Sequence, residues 1–500
     1  MHHRTIQVGS LFIKGGFLMN RNVKVILPLA FIMVIALSLS VSAKDFTYTT
    51  KSTEARNYLL EGLDLLDNLQ IDKARPKFEQ AIAADPEFAM AYYYRAQTAF
   101  SAADFRAQLA NAWKYIAGIT EPEKLAIMAM KANSEDKTEE AGEDLRKLIT
   151  LLPESRRAHY ILGVYYYGLQ EWPNAEKEFT TVTSLDPDYA PVYNMLGYTY
   201  SNQNKYSESI KALQRYSELR PKDPNPHDSM GEIYLYMSDH QNSIKQYEKS
   251  LELDPTFKAS HAGIGHNLAF TGKYDEARKH YQFFTDKAQS YGDSNTTYFW
   301  DATSYILQGY FDKAISTLSA ELNYCKAHDD IALQGTIHGQ IANILLFQGK
   351  YKEALTETAK EREMANNPKL SPANREGILR AAYFTEAQAY AYLGKEYETQ
   401  VNAEAYRKSA EESKNEVNMA NYQALLGIVA YIDKDYQKAL KHFELSNPLA
   451  MYQQYYYALT YEALGQKVKA KELFTKIAGW NRNNLIYALV RNPAKMKMQG

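Results

Sequence analysis

The 500-residue chain has one cysteine, Cys325, so no intrachain disulfide can form and packing alone must hold the fold, whatever the compartment. It has no surplus of basic charge either: 57 Lys and Arg stand against 59 Asp and Glu, a formal charge of -2. Proteins that grip phosphate backbones carry a marked basic excess, so no nucleic-acid partner is expected. The sequence has no Gly-rich phosphate loop, H-E-x-x-H pair, paired cysteines or G-x-S-x-G turn. No catalytic residue, metal ligand or cofactor is therefore assigned, and an enzyme ranks last among the readings. The nearest approach to a metal cluster is "HAGIGH", His261 to His266, whose two imidazoles are five residues apart and do not share a helix face well. His261 also falls at a place in the chain where His159, His227 and His338 recur, which points to packing.

Long apolar runs are missing too, with one exception. Arg21 and Lys24 precede "VILPLAFIMVIALSL", residues 25–39, and the small residues of "SVSA" end at Ala43. A basic start, an apolar middle and a small-residue end are the grammar of a secretory signal, so residues 1–43 read as an extension plus leader, with Met19 as the sensible start. The run is short for a membrane span, and cleavage after Ala43 leaves a chain of charge -6 with no span of its own. Export, most simply to a periplasm, is the expected location.

What the chain has in abundance is itself. "LLPESRRAHYILGV", "LDPDYAPVYNMLGY", "LRPKDPNPHDSMGE" and "LDPTFKASHAGIGH" follow one another at intervals of 34 residues. Twelve windows, starting at 55, 89, 122, 156, 190, 224, 258, 295, 335, 381, 420 and 451, align on common columns. The eighth place is Gly or Ala in eleven of the twelve, among them Gly62, Gly163, Gly197, Gly231 and Gly265. The twentieth is small as well (Ala74, Ala175, Ala277), and Phe78 and Phe179 stand four residues beyond it in their windows. A small residue lets two helix backbones approach, and a large one a turn later fills the space beyond, so each window predicts an antiparallel helix pair. Pro86, Pro187, Pro221 and Pro255 share the thirty-second place, where a ring without N–H ends the second helix.

These residues resemble the tetratricopeptide repeat (TPR) superfamily, whose Leu-Gly, Tyr, Ala, Phe and Pro pattern is met in one window by Leu162, Gly163, Tyr166, Ala175, Phe179 and Pro187. The resemblance implies an all-α solenoid of about twelve repeats, a right-handed superhelix whose concave groove is lined by the first helix of each pair. The expected layout is a linker over 44–54, a regular array over 55–291, an irregular one over 292–480 and a capping helix over 481–500. Residues 366–380, with two prolines and polar turn formers, read as a hinge or long loop.

Within that scheme most tyrosines are core. The fifth, ninth, twelfth and thirteenth places of the first helices leave Tyr160, Tyr167, Asn194, Tyr198, Asn202, Asp228, Glu232, Tyr236 and His266 for the groove. No fifth place is basic, unlike TPR domains that clamp a carboxylate tail, so this acidic and aromatic face suits a neutral or basic segment. The leading expectation is an exported, non-enzymatic scaffold that binds a protein or peptide segment in the groove. The alternative is a receptor for a small glycan or peptide, with a pocket among Phe299, Trp300, Leu346, Phe347, Tyr392, Tyr431, Tyr455 and Tyr456.

Overall fold

The computed structural model describes residues 46–499 apart from 68–69, 100–101, 136, 287–290 and 414; the expected leader lies outside the described residues. Among these there are twenty-four α-helices in antiparallel pairs, one 3-10 turn and a last helix, Leu485–Gln499, with no strand. The chain divides into two compact units, with the division between Gly263 and Ile264.

The repeat columns explain each pair. In the fourth pair, Arg156–Gly168 and Trp172–Leu185, Phe179 is fully buried, and a Cβ added to Gly163 would lie 2.5 Å from its ring. The glycine is thus a seat for the plug on the other helix. Gly163→Ala is expected to destabilise the first unit by about 1–3 kcal/mol of overpacking, read as a lower urea midpoint. Where the twentieth place is serine, its hydroxyl donates to the carbonyl of the eighth-place glycine, Ser209 to Gly197 and Ser243 to Gly231, both at 2.6 Å. That bond pins the two helices of the pair together. Pro187 then follows the C-cap residue Asp186, where no further helical N–H is needed.

The turn within a pair places one residue in the left-handed region: Gln170, Ser238 and Lys434 at φ 62–63°, and Gly272, Gly309, Gly349 and Gly465 in other repeats. A side chain in that region carries a steric penalty that glycine escapes. Gln170→Gly is therefore expected to raise the melting temperature, through a gain of about 1 kcal/mol.

The second unit departs from the expected looseness. Its wider spacing goes into longer helices, such as Phe311–Ala327, Ile331–Phe347 and Glu396–Glu412 at 17 residues, against 13 or 14 in pairs four and five. The hinge expected over 366–380 is mostly helix, because Pro372 occupies a first-turn position that needs no N–H and Ser371 caps it, accepting from Asn374 N at 3.2 Å. Helix Pro372–Tyr392 runs 21 residues. The exceptional Gln388 in its eighth place is fully buried, donating to Phe384 O at 3.0 Å and accepting from Tyr452 Oη at 3.3 Å. Its plug is Tyr406, two residues beyond the expected position.

Both units also close on themselves, whereas a simple solenoid has each repeat touching only its neighbours. In the first unit, Arg157 of the fourth pair donates both guanidinium nitrogens to Asp67 of the first, at 3.2 and 2.6 Å. Tyr189 Oη adds a third bond to Asp67, at 3.0 Å. In the second unit the last helix caps its neighbour as expected, with Tyr487 Oη on Ile477 O at 2.7 Å and Arg491 on Trp480 O at 3.0 Å. It does more than cap. Asn492 donates to Leu307 O, and the Arg491 guanidinium sits 4.4 Å from the Phe270 ring centroid, so this helix ties the end of the unit to its beginning.

Candidate interaction face

The groove residues lie on first helices, and where the repeats are most regular they are joined from one repeat to the next. Helices Arg156–Gly168, Ala190–Asn202 and Asn225–Tyr236 carry them. Asn202 Nδ2 donates to Tyr167 Oη at 3.3 Å, and Ser229 Oγ donates to Asn194 Oδ1 at 3.0 Å. Glu232 accepts two phenols, Tyr198 on Oε2 at 2.8 Å and Tyr236 on Oε1 at 2.5 Å. One carboxylate thereby fixes two rings in adjacent repeats. Burial first, and then the negative charges of Glu232 and Asp228, raises the Tyr198 phenol well above its usual range, so it stays a donor. Charge-assisted bonds of this kind hold side chains in place before anything binds.

Three of the nine expected groove residues are placed otherwise. Tyr160 is core, edge-on to Tyr189 at 5.5 Å and tilted against Phe179 at 5.8 Å. Asp228 is buried and accepts from Ser260 Oγ at 2.9 Å. His266 belongs to the second unit, where its Nδ1 meets Tyr281 Oη at 2.9 Å and its ring stands edge-on to Trp300 at 5.1 Å. The reason is the same for Tyr160 and Asp228: a place number gives the direction of a side chain but not what the following repeat lays over it.

The recurring histidines pair across their own repeats. His159 Nδ1 lies 2.6 Å from Glu178, His338 Nδ1 2.7 Å from Glu357, and His227 Nδ1 2.9 Å from Gln246 Oε1, each partner nineteen residues on. The aromatics expected to line a small-ligand pocket also meet one another. Tyr392 stacks on Tyr351 at 4.7 Å and shares a hydroxyl contact of 3.2 Å with Tyr456, while Phe347 packs on Phe311. Among the described residues no group of three or more His, Cys, Asp or Glu could hold a metal ion, and no helix is long and apolar enough to cross a membrane.

Two sets of residues escaped the sequence reading. The thirteenth place, read for the groove at Asn202 and Tyr236, also supplies Asp67, and the second, which supplies Arg157 and Glu123, was not read as a column. Nor was the twenty-seventh, where Glu321 and Glu361 are buried although Ala81, Val182 and Ile477 hold it in other repeats.

These features define a helical-repeat interaction module. Models of the tetratricopeptide repeat match residues 59–111, 178–211 and 227–257, so the chain carries repeats of the TPR superfamily. Similar solved structures include MamA (24% identity over 32% of this chain and 94% of that one, TM-score 0.29) and PilF of Pseudomonas aeruginosa (22%, 40% and 90%, TM-score 0.32). A tetratricopeptide repeat protein of Parabacteroides merdae is another (14%, 52% and 98%, TM-score 0.37). No curated protein matches the sequence. The repeats support a protein-interaction scaffold, the usual role of proteins with such repeats.

Proposed function

We infer that the chain is an exported, non-enzymatic scaffold that binds a segment of another envelope protein along the first-helix face of pairs four to six. The observation that carries this reading is the bond network through Glu232, which pre-orders Tyr198 and Tyr236 from successive repeats at a spacing a bound segment could follow. Tyr offers large contact area at small entropic loss, and a rigid array adds little ordering cost on binding. With a carboxylate at its centre and no basic fifth place, the face favours a neutral or basic partner.

Export rests on Arg21, Lys24, the apolar run and Ala43. Fractionation that found the chain in the cytoplasm with its leader intact would end that part of the reading. The binding reading is tested by cross-linking the chain from residue 44 onward to a cognate envelope extract, beside a Tyr167→Ala/Tyr198→Ala/Tyr236→Ala variant that keeps its helical circular dichroism. A partner captured by the parent and lost from the variant is the expected result. Equal capture by both would move the binding surface elsewhere.

A further inference from the structure

The stretch expected to be a linker is docked. Residues 46–50, "FTYTT", are neither helix nor strand and lie against first helices of the first unit. Phe46 is buried and stacks on Tyr48 at 6.1 Å, and Tyr48 stands edge-on to Tyr94, with the two hydroxyls 3.3 Å apart. Thr49 addresses one carboxylate twice: its backbone N–H donates to Glu123 Oε1 at 2.7 Å and its hydroxyl to Oε2 at 2.5 Å. Thr50 Oγ1 donates to Asp85, and Arg56 Nη2 donates to the carbonyls of Tyr48 and Thr50 at 3.3 and 3.2 Å.

Glu123 is the informative member of this set. It has no exposed surface, and its helix-capping bonds to Thr120 (N at 2.9 Å, Oγ1 at 2.7 Å) fill only part of its acceptor capacity. The other donors come from Thr49. A buried carboxylate left without them carries a desolvation penalty, so this position selects for a chain that brings a backbone N–H and a hydroxyl together. Tyr94, which receives the Tyr48 ring, also lies 5.8 Å from the Arg157 guanidinium, so the docked strap shares its neighbours with the bond that closes the unit.

We propose that residues 46–50 are a built-in ligand of this face, and that its partner in trans is an extended segment of the same chemistry: two aromatics flanking one residue, then a hydroxyl residue with its N–H free. The proposal rests on the scaffold reading and adds a recognition site on the first helices of pairs two and three. While the strap is docked, its tether to the first helix gives it a local concentration that a free segment must overcome. The strap therefore acts as a gate as well as a model of the ligand.

The test uses the chain from residue 44 onward and a fluorescein-labelled peptide of sequence KDFTYTTKS, followed by anisotropy. A Phe46→Ala/Tyr48→Ala/Thr49→Ala variant, whose own strap is weakened, is expected to bind the peptide at least about tenfold more tightly than the parent. A peptide with Val in place of the second Thr-bearing contact, Thr49→Val, is expected to lose that binding. The single Thr49→Val protein serves as the milder host should the triple variant melt early, with the same ordering expected. No binding by either host while it unfolds cooperatively, or equal binding by host and parent, overturns the proposal. Since the peptide is read at Glu123 and the envelope partner at Tyr198 and Tyr236, failure here leaves the scaffold reading to its own capture experiment.

Discussion

Glu321→Gln is expected to make the second unit more stable at pH 8 than the parent and to flatten its dependence on pH. The Glu321 side chain is buried in helix Phe311–Ala327, and its Oε2 has no hydrogen-bond partner among the described residues. Burial pushes the carboxyl up from 4.5 to about 8. Since the folded value lies above the unfolded one, the fold prefers the protonated acid. Its contribution is fully present below pH 4.5 and is lost as pH rises toward 8. At about 1.4 kcal/mol per pH unit, the interval from pH 5 to pH 8 removes ~4 kcal/mol. Glu361 adds to the same trend, raised well above its usual range by burial and then by the neighbouring charge of Glu386. Urea unfolding of parent and variant at pH 5 and pH 8 reads the effect directly. Parallel pH profiles for the two proteins would contradict it.

The second large effect is expected at the closure of the first unit. Asp67→Ala removes the counter-ion of a buried arginine and an acceptor of Tyr189 in one step. Leaving Arg157 charged and unpaired is expected to destabilise by about 3–5 kcal/mol, more than the pair itself contributes over an apolar replacement. The double variant Asp67→Leu/Arg157→Met is accordingly expected to recover much of the loss. Chemical denaturation followed by far-ultraviolet circular dichroism distinguishes the cases, and a double variant weaker than the single would show that the pair, not the orphaned charge, carries the energy.

Both effects sit where the sequence was least legible. The helix pairs were readable because their causes are local: Gly163 and Phe179 face each other within one window, and Pro187 ends a helix two residues beyond its last turn. The extra length of the second unit was readable as spacing but not as helix, since Pro372 supports a helix start as well as a loop. Long-range closure left no periodic trace, because Asp67 and Arg157 are 90 residues apart and meet only through the accumulated curvature of the intervening repeats. For the same reason the candidate face was only partly legible. Tyr167, Asn194, Tyr198, Asn202, Glu232 and Tyr236 are joined in the first unit, whereas Tyr189 and Ser260 cover Tyr160 and Asp228.

A partner segment is proposed to lie on the first helices of pairs four to six. Hydrogen exchange of the chain from residue 44, with and without a peptide from the captured partner, tests it most directly. Slower exchange in helices Arg156–Gly168, Ala190–Asn202 and Asn225–Tyr236, abolished by Tyr198→Ala/Tyr236→Ala, is the predicted result. Protection confined to the second helices of the pairs, or to the second unit, would contradict it.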